Sequence, residues 1–331
     1  MQTYVGIDVG AKRCEWAGCE AQHTVAGGSF EQTPSGHAAI IARLQRFAPV
    51  RIVLEATGVY YFDLALALVG AGLPVAVINP KSFHHFAKLR LVASKTDRLD
   101  AALLAEYAER MAPPLWTPPA PACLALRDIG RQISRLTHAR AQAKNRLHAL
   151  AAKRTTPPLL LADERAGIRT LDRRIARLAK AAEQSIAQDP VLAQSFAHLG
   201  SAKGIGRVSA VALLAELCVL PEQMKSAQLS RHAGLDVRLT QSGSSVHKPG
   251  RLSKTGNRYL RAALYMPALS AARTDPAARA FYQALIARGK KKMQALCALM
   301  RKYLTGLWAC LKANEPFDSS RLFSSSHTQN A

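Results

Sequence analysis

The sequence predicts an α/β domain followed by an all-α region, with a proline-rich linker between them. In the first 115 residues, short apolar runs typical of buried strands alternate with amphipathic helix patterns. Beyond the linker, from about residue 119 to 315, apolar residues recur mostly at the spacing of helices. Strands that come grouped first and then alternate with helices indicate a mixed sheet flanked by helices.

The elements of the α/β domain, residues 1–115, follow one another in a clear order. The apolar run Tyr4–Gly10 ends in glycine and predicts a buried strand. Two short antiparallel strands are predicted to follow it by hairpins, over residues 13–18 and 23–29. The later patterns predict a helix over 37–47, a strand ending at residue 55, a helix over 60–69, a strand over 74–79, a helix beginning at 80 and a helix over 99–111.

Two long runs of heptad spacing follow the linker, over residues 119–189. They are separated by Thr155-Thr156-Pro157-Pro158, so they predict an antiparallel helical hairpin or an oligomerising coiled coil. Residues 119–183 carry 14 Lys and Arg against 5 Asp and Glu. This imbalance favours an arm that contacts nucleic acid, and a solvated helix face is the alternative.

The third predicted domain spans residues 190–315 and is mostly helical. The turn Gly204-Ile205-Gly206 precedes an apolar helix, and backbone amides at such a helix start can bind phosphate. Lys203 and Arg207 flank this turn as candidate nucleic-acid contacts. The serine-rich tail, 318–331, is expected to be disordered.

The overall charge points to a polyanionic partner. The 331 residues include 45 Lys and Arg against 22 Asp and Glu, a net charge of +23, for which nucleic acid is the usual partner. Hydrophobic residues make up 49%, which excludes disorder along most of the chain. Neither a signal peptide nor an apolar stretch of about 18 residues is found, so a cytoplasmic protein is expected.

Four carboxylates stand where an acidic residue is costly for folding alone. Asp8 interrupts the first apolar run, and Glu55 ends the run Ile52–Leu54. Asp97 and Asp100 lie three apart, so on a helix both would project from one face. An unpaired buried carboxylate is expensive. A bound divalent cation, with oxygen ligands suited to Mg²⁺ or Mn²⁺, explains the set most simply.

A second constellation occupies residues 231–261, a polar, glycine-rich segment between predicted helices. Attack of a serine hydroxyl on a phosphodiester requires activation of that hydroxyl and nearby cations. A basic loop that clamps backbone phosphate without chemistry is the alternative, which the residues alone favour. The segment offers as nucleophiles Ser242, Ser244, Ser245 and Ser253, and as cations Lys248, Arg251, Lys254, Arg258 and Arg261.

Several motifs, in the same order, resemble the DEDD-type insertion-sequence transposases, a family that includes the bridge-RNA-guided recombinases. The resemblance covers nearly the whole chain and joins a RuvC-like N-terminal domain to a Transposase_20-type C-terminal domain. The N-terminal motifs are Gly6-Ile7-Asp8-Val9-Gly10, Leu54-Glu55-Ala56-Thr57-Gly58 and Lys95-Thr96-Asp97-Arg98-Leu99-Asp100-Ala101. The C-terminal motifs are Gly204-Ile205-Gly206, Ala233-Gly234-Leu235, Gln241-Ser242-Gly243 and Ser253–Arg261.

The resemblance implies an RNase H-like fold on which Asp8, Glu55, Asp97 and Asp100 bind Mg²⁺ or Mn²⁺. It implies that Ser242 is the nucleophile and forms a covalent phosphoserine link to a cut DNA strand. It further implies a homo-oligomer, a dimer or tetramer, whose site is shared between protomers. A noncoding bridge RNA from the element would pair with double-stranded donor and target DNA, and the protein would act at the bacterial nucleoid.

Three other functions are compatible with parts of the sequence. A RuvC-like structure-specific endonuclease that uses water accounts for the carboxylates and the charge, and it leaves residues 190–315 without a role. An ATPase of the actin and sugar-kinase type shares the opening Gly-Ile-Asp motif, and no second phosphate loop is found. A non-catalytic nucleic-acid-binding protein accounts for the charge alone.

Overall fold

The computed structural model describes residues 2–91, 96–242 and 246–323, without the side chains of residues 240, 242 and 246–249. The chain divides into two compact units, Met1–Pro118 and Pro119–Ala331. No helix in the described ranges is long and apolar enough to cross a membrane.

Unit 1 is built on a five-stranded mixed sheet with the strand order β3-β2-β1-β4-β5. The first three strands form two antiparallel hairpins, whereas β4 and β5 run parallel to β1. This confirms the predicted RNase H-like mixed sheet. The strands are β1 (Tyr4–Val9), β2 (Arg13–Glu20), β3 (His23–Glu31), β4 (Arg51–Glu55) and β5 (Val75–Ile78).

Helices cover both faces of this sheet, and that is why its central strands read as continuous apolar runs. On one face, α1 and α2 pack over Ile7 and Leu54 in one buried cluster. On the other face, α3 and α4 pack over Val53 and Ala76 in a second cluster. The helices are α1 (Pro34–Phe47), α2 (Tyr61–Gly70), α3 (Pro80–Leu89) and α4 (Asp97–Met111).

Unit 2 begins with two long helices, α5 (Pro121–Ala152) and α6 (Pro158–Ala187). Arg140 pairs with Asp172 at 2.9 Å and Arg146 with Glu164 at 2.8 Å, so residues later in α5 face residues earlier in α6. The two helices are therefore antiparallel, as the hairpin interpretation predicts. Association of this hairpin into an oligomeric coiled coil stays a prediction.

The rest of unit 2 is a helical core with one β-hairpin. The pattern over residues 231–261 did not predict the hairpin, because Val237 and Leu239, 54% and 69% exposed, supply no buried face. The elements are α7 (Pro190–Gly200), α8 (Arg207–Leu217), α9 (Ser226–His232), β6 (Val237–Ser242), β7 (Val246–Leu252), α10 (Arg258–Thr274), α11 (Pro276–Ala287), α12 (Lys292–Ala313) and α13 (Ser319–Leu322).

The expectation of disorder from residue 318 onward is wrong for residues 318–323. Asp318 caps the short helix α13 by accepting a hydrogen bond from the amide of Ser320 at 2.8 Å. Phe323 then packs on Phe281, with 5.3 Å between the ring centroids. The serine-rich composition predicts disorder, but the helix cap and the aromatic contact order residues 318–323. Residues 324–331 lie outside the described residues.

Candidate functional site

Asp8 and Glu55 lie at the carboxyl ends of two adjacent parallel strands. The register of β1 and β4 pairs Ile7 with Leu54, so the two carboxylates follow at neighbouring positions. Side chains alternate between the faces of a strand. Glu55 therefore shares the face of Val53, which lies in the buried cluster that includes α4.

Gly6 places Asp8 on that same face. A Cβ atom at Gly6 would stand 2.2 Å from the carbonyl oxygen of Ala101 and 2.3 Å from the amide nitrogen of Ala105, both in α4. Only glycine allows the helix to approach the strand this closely. Because Asp8 lies two residues after Gly6, it also belongs to the face that α4 covers.

Asp97 and Asp100 occupy the first turn of α4. The hydroxyl of Thr96 accepts a hydrogen bond from the amide of Leu99 at 3.2 Å and so fixes where the helix begins. One turn later, Ala101 and Leu104 are buried toward the sheet. Residues four apart share a helix face, so both carboxylates belong to the sheet-facing side. All four predicted acidic residues thus lie at one edge of the sheet.

The donor chemistry of this edge fits a hard divalent cation. Asp8, Glu55 and Asp100 are half-buried and Asp97 is exposed, so none of the four residues is sealed from solvent. The hydroxyl of Thr57 donates to Oε1 of Glu55 and orients that carboxylate. Among the described residues, no three acidic, histidine or cysteine side chains converge closely enough to hold one ion.

Ser242, the predicted nucleophile, ends β6 at the tip of the hairpin in unit 2. Its backbone pairs with Val246, the last pair before the tip. At the other end of the hairpin, Arg238 stands opposite Arg251, and both are exposed. Like charges directly opposite each other in a strand pair are destabilising, so this pair favours an anionic partner. Ser244 and Ser245 lie outside the described residues.

Ser253, another candidate nucleophile, anchors the base of the hairpin. Its hydroxyl donates a hydrogen bond to Oδ1 of Asp236, and its amide donates to the carbonyl of Asp236 at 2.9 Å. The next amide, of Lys254, donates to the carbonyl of Gly234 at 3.1 Å. These bonds bring together two motifs that are separate in sequence, Ala233-Gly234-Leu235 and Ser253–Arg261.

A buried polar network joins α5, α8 and α10 beneath the hairpin. Glu216 is only 2% exposed, and it accepts hydrogen bonds from Arg131 at 2.7 and 3.0 Å and from Asn257 at 2.5 Å. The other side-chain atom of Asn257, Oδ1, caps α10 by accepting from the amides of Tyr259 and Leu260. This network was not predicted. Its one sequence signal is a glutamate inside the apolar run of α8.

His232 lies beside this network and is held by the backbone. Its carbonyl accepts a hydrogen bond from the amide of Asn257 at 2.7 Å. Burial lowers the pKa of the His232 imidazole from its ordinary value of 6.5, although Glu216 acts in the opposite direction. Gly256, just before Asn257, has a φ of +142°. Glycine is required at this position, because a Cβ atom there would stand 2.2 Å from the carbonyl oxygen of His232.

Two of the predicted nucleic-acid contacts bond to residues distant in the sequence. The guanidinium of Arg207 forms two hydrogen bonds with the carboxylate of Glu183. That of Arg261 donates to the carbonyl of Ala233 at 2.8 Å. The backbone of Lys248 pairs with Thr240, and its side chain is outside the description. The remaining predicted cations are exposed: Lys203, Arg251, Lys254 and Arg258.

Comparison with solved structures gives only a weak likeness. A Thermus thermophilus RuvC in complex with a Holliday junction substrate aligns with a TM-score of 0.26 and 15% identity, over 34% of this chain and 96% of that one. A second RuvC structure of the same species gives a TM-score of 0.26 and 16% identity, over 33% of this chain and 96% of that one. Scores this low carry no argument, so the fold assignment rests on the strand order of unit 1.

The similarity to known sequences is much stronger. A pilin gene-inverting protein of Moraxella bovis is 31% identical over 322 residues, 96% of this chain and 98% of its own length. Its counterpart in Moraxella lacunata matches to the same extent. An uncharacterized 43.6 kDa protein of the insertion element IS110 of Streptomyces coelicolor is 33% identical over 121 residues, 37% of this chain and 30% of that protein.

Two family models match the chain in the order that the motifs predict. A transposase model of the DEDD type of IS110 matches residues 5–153, which include the four carboxylates. A model of the transposase IS116/IS110/IS902 family matches residues 197–283, which include the hairpin and the Asn257 network. With both models in place and full-length relatives above 30% identity, the chain belongs to the IS110/IS116/IS902 family of transposases.

Proposed function

We propose that this transposase cuts and rejoins DNA strands through a covalent phosphoserine intermediate, with Ser242 as the nucleophile and a divalent cation bound by the four carboxylates. One observation supports this most: acidic residues from three separate segments of the chain lie at one edge of the sheet in unit 1, on the face that α4 covers. The basic hairpin of unit 2 carries Ser242 and would supply the attacking hydroxyl.

The serine step conserves phosphodiester bonds. Oγ of Ser242 would attack a backbone phosphorus, forming a serine–phosphate ester while the bond from phosphorus to the leaving 3′-oxygen breaks. The proton of the serine hydroxyl would pass, through solvent or a carboxylate, to that 3′-oxygen. Attack by a 3′-hydroxyl on the phosphoserine then reverses the chemistry and rejoins a strand without ATP.

The carboxylate edge would hold the cation and position the phosphate. Bound there, Mg²⁺ or Mn²⁺ would supply Lewis-acid stabilisation of the phosphoryl oxygens and of the leaving oxygen. Thr57 keeps Glu55 oriented for this role through its hydrogen bond. The close contact of Gly6 with α4 keeps Asp97 and Asp100 on the side of Asp8.

Among the serines, Ser242 is favoured over Ser253. The hydroxyl of Ser253 donates to Asp236 and ties the two strands of the hairpin at their base, which is a structural task. Ser242 ends β6 at the tip of the hairpin, away from that base. The exposed guanidiniums of Arg238 and Arg251, nearer the base, would bind backbone phosphate of the same strand further along. Ser244 and Ser245 remain the alternatives.

The proposed partners are double-stranded donor and target DNA, a bridge RNA and further copies of the chain. The net charge of +23 suits partners that carry phosphate. The Moraxella relatives are named for inverting a pilin gene, and inverting a gene requires DNA strands to be broken and rejoined. The chemistry requires the carboxylates and the serine to act on one phosphodiester, from one chain or from two protomers.

The test of the chemistry uses the purified protein, Mg²⁺ in excess, and a plasmid carrying the gene with its native flanking DNA, at roughly physiological salt. We expect strand cleavage together with a protein–DNA adduct that survives denaturation. Cleavage without an adduct would establish a water-using endonuclease instead. Binding with no cleavage at all would establish a non-catalytic nucleic-acid-binding protein.

The RNA and the oligomer are tested separately. RNA that co-purifies with the protein should be structured and complementary to both DNA partners, and its removal by ribonuclease should stop recombination. Recombination that survives complete removal of RNA would exclude RNA guidance. Mixing Asp8→Asn with Ser242→Ala protein should restore activity if the protomers share sites, and the mixture should stay inactive if each chain acts alone.

A further inference from the structure

The aromatic ring of Tyr259, at the start of α10, contacts two guanidinium groups. The guanidinium carbons of Arg131, from α5, and of Arg258 each stand 5.0 Å from the ring centroid. Arg258 also donates a hydrogen bond to the Tyr259 hydroxyl at 3.2 Å. Arg135 follows Arg131 by four residues in α5, so it lies on the same face of that helix. Arg258 and, more weakly, Arg135 lower the pKa of the Tyr259 phenol.

The charges in this cluster are not balanced. Glu216 neutralises Arg131 through two hydrogen bonds, at 2.7 and 3.0 Å. Within the described part of the chain, no carboxylate lies within 4.0 Å of the guanidinium nitrogens of Arg135 or Arg258, and both residues are exposed. Two like charges held on one phenol repel each other unless an anion lies between them.

The hydrogen-bonding groups of the cluster suit a phosphate. The Tyr259 oxygen accepts from Arg258, which leaves its own O–H free to donate to an anion. Each guanidinium keeps further N–H donors in a planar fork that matches two phosphate oxygens. Arg131, held by Glu216, supports the ring from one side and keeps the hydroxyl in place.

We propose that Arg135, Arg258 and Tyr259 form a binding site for one backbone phosphate of a nucleic acid strand. The site deepens the proposed function and rests on it in one respect: it assumes that the protein acts on nucleic acid. Arg258 follows Ser253, the anchor of the hairpin base, by only five residues. A site of this composition contacts phosphate alone and therefore contributes affinity without sequence preference.

Binding of the full-length protein to two labelled probes tests this site. The probes are a duplex DNA and a single-stranded RNA of the same sequence, each titrated at several salt concentrations without added divalent metal. We expect Arg135→Gln and Arg258→Gln each to weaken binding about fivefold to tenfold and to lower the salt slope by about 0.7 to 0.9. Tyr259→Phe should weaken binding about threefold, since it removes one hydrogen bond.

The matched control is Arg46→Gln, which makes the same charge change on an exposed residue of α1, on the face of the sheet opposite the carboxylates. It should leave both affinities within about twofold. Loss of affinity for DNA, for RNA or for both supports the site and identifies its strand. The proposal is overturned if the three variants, shown to be folded by circular dichroism, bind both probes as tightly as Arg46→Gln.

This readout is independent of the cleavage chemistry. Absence of a covalent adduct would remove the proposed serine mechanism and leave the phosphate site standing. Unchanged binding by the three variants, with an adduct still formed, would remove the phosphate site and leave the serine mechanism standing.

Discussion

Gly6 of β1 lies directly against Ala101 of α4, so closely that a Cβ atom at Gly6 would stand 2.2 Å from the Ala101 carbonyl oxygen. The contact sets the position of α4 on the sheet. Because Asp97 and Asp100 occupy the first turn of that helix, the contact also places them at the edge that carries Asp8. Glycine in the opening Gly-Ile-Asp motif is therefore needed to assemble the acidic edge.

Gly6→Ala should destabilise the protein by about 2–3 kcal/mol, because the added methyl meets backbone atoms that cannot turn away. Its control is Gly70→Ala, where nothing lies within 4 Å of the added Cβ. That control should be neutral or stabilise by up to about 1 kcal/mol. Chemical denaturation of both variants checks this, and equal stabilities would show that α4 does not press on Gly6.

Glu216→Ala should destabilise unit 2 by roughly 2–4 kcal/mol. This loss is smaller than for an ion pair in which both partners are fully buried, because Arg131 is 34% exposed. Water can therefore partly solvate the guanidinium that Glu216 leaves unpaired. The control, Asp172→Ala, breaks the exposed pair with Arg140 and should cost at most about 1 kcal/mol. Similar losses in the two variants, measured by urea unfolding, would contradict a structural role for the buried network.

Stability should depend on pH through His232. Burial lowers the pKa of its imidazole in the folded state below 6.5, so the unfolded chain binds more protons in the window just below that value. Stability is therefore complete above about pH 6.5 and falls as the pH drops toward the folded-state pKa, by at most about 1.4 kcal/mol per pH unit.

His232→Gln removes this titration and should flatten the fall between about pH 6.5 and 5. The variant must be compared with the unaltered protein, because burial also lowers the pKa of His37 in unit 1. The contribution of His37 to the pH dependence of stability is the same in both proteins. Urea denaturation across the pH range measures the difference. Parallel stability curves for the two proteins would show that His232 titrates alike in the folded and unfolded chains.

Loss of a carboxylate from the acidic edge should stop metal-dependent cleavage. Asp8→Asn and Asp100→Asn should each lower the cleavage rate at least about 100-fold, and a chelator should do the same to the unaltered protein. The control is Glu20→Gln, which makes the same charge change at the end of β2 that is distant from Asp8, where Glu20 accepts a hydrogen bond from Thr3. This variant should cleave DNA at the normal rate. Equal rates for all three variants would exclude the edge from the chemistry.

Much of unit 1 could be predicted because its physical causes are local. Strands buried on both faces leave apolar runs such as Ile52–Leu54, and each carboxylate that interrupts such a run is conspicuous. The start of α4 was placed two residues late, at Leu99. Apolar periodicity alone located it, whereas the capping hydroxyl of Thr96 sets the actual start at Asp97.

Unit 2 was less predictable because its site depends on contacts distant in sequence. Glu216 and Asn257 are 41 residues apart, and neither has an ionic or apolar pattern that points to the other. The described side chains of the β6–β7 hairpin are largely exposed on both faces, so they show no alternation of buried and exposed residues by which a strand is recognised. Family motifs located the segment, and the structure supplied its hairpin form.

The measurement that tests the central claim most directly is the identity of the residue joined to DNA. The adduct formed by the full-length protein on its native flanking DNA is digested with protease and nuclease, and the modified peptide is sequenced by mass spectrometry. The account predicts a phosphodiester on Ser242, and no adduct from Ser242→Ala protein that still binds DNA. A link to Ser244, Ser245, Ser253 or Tyr259, or an undiminished adduct from Ser242→Ala, would contradict it.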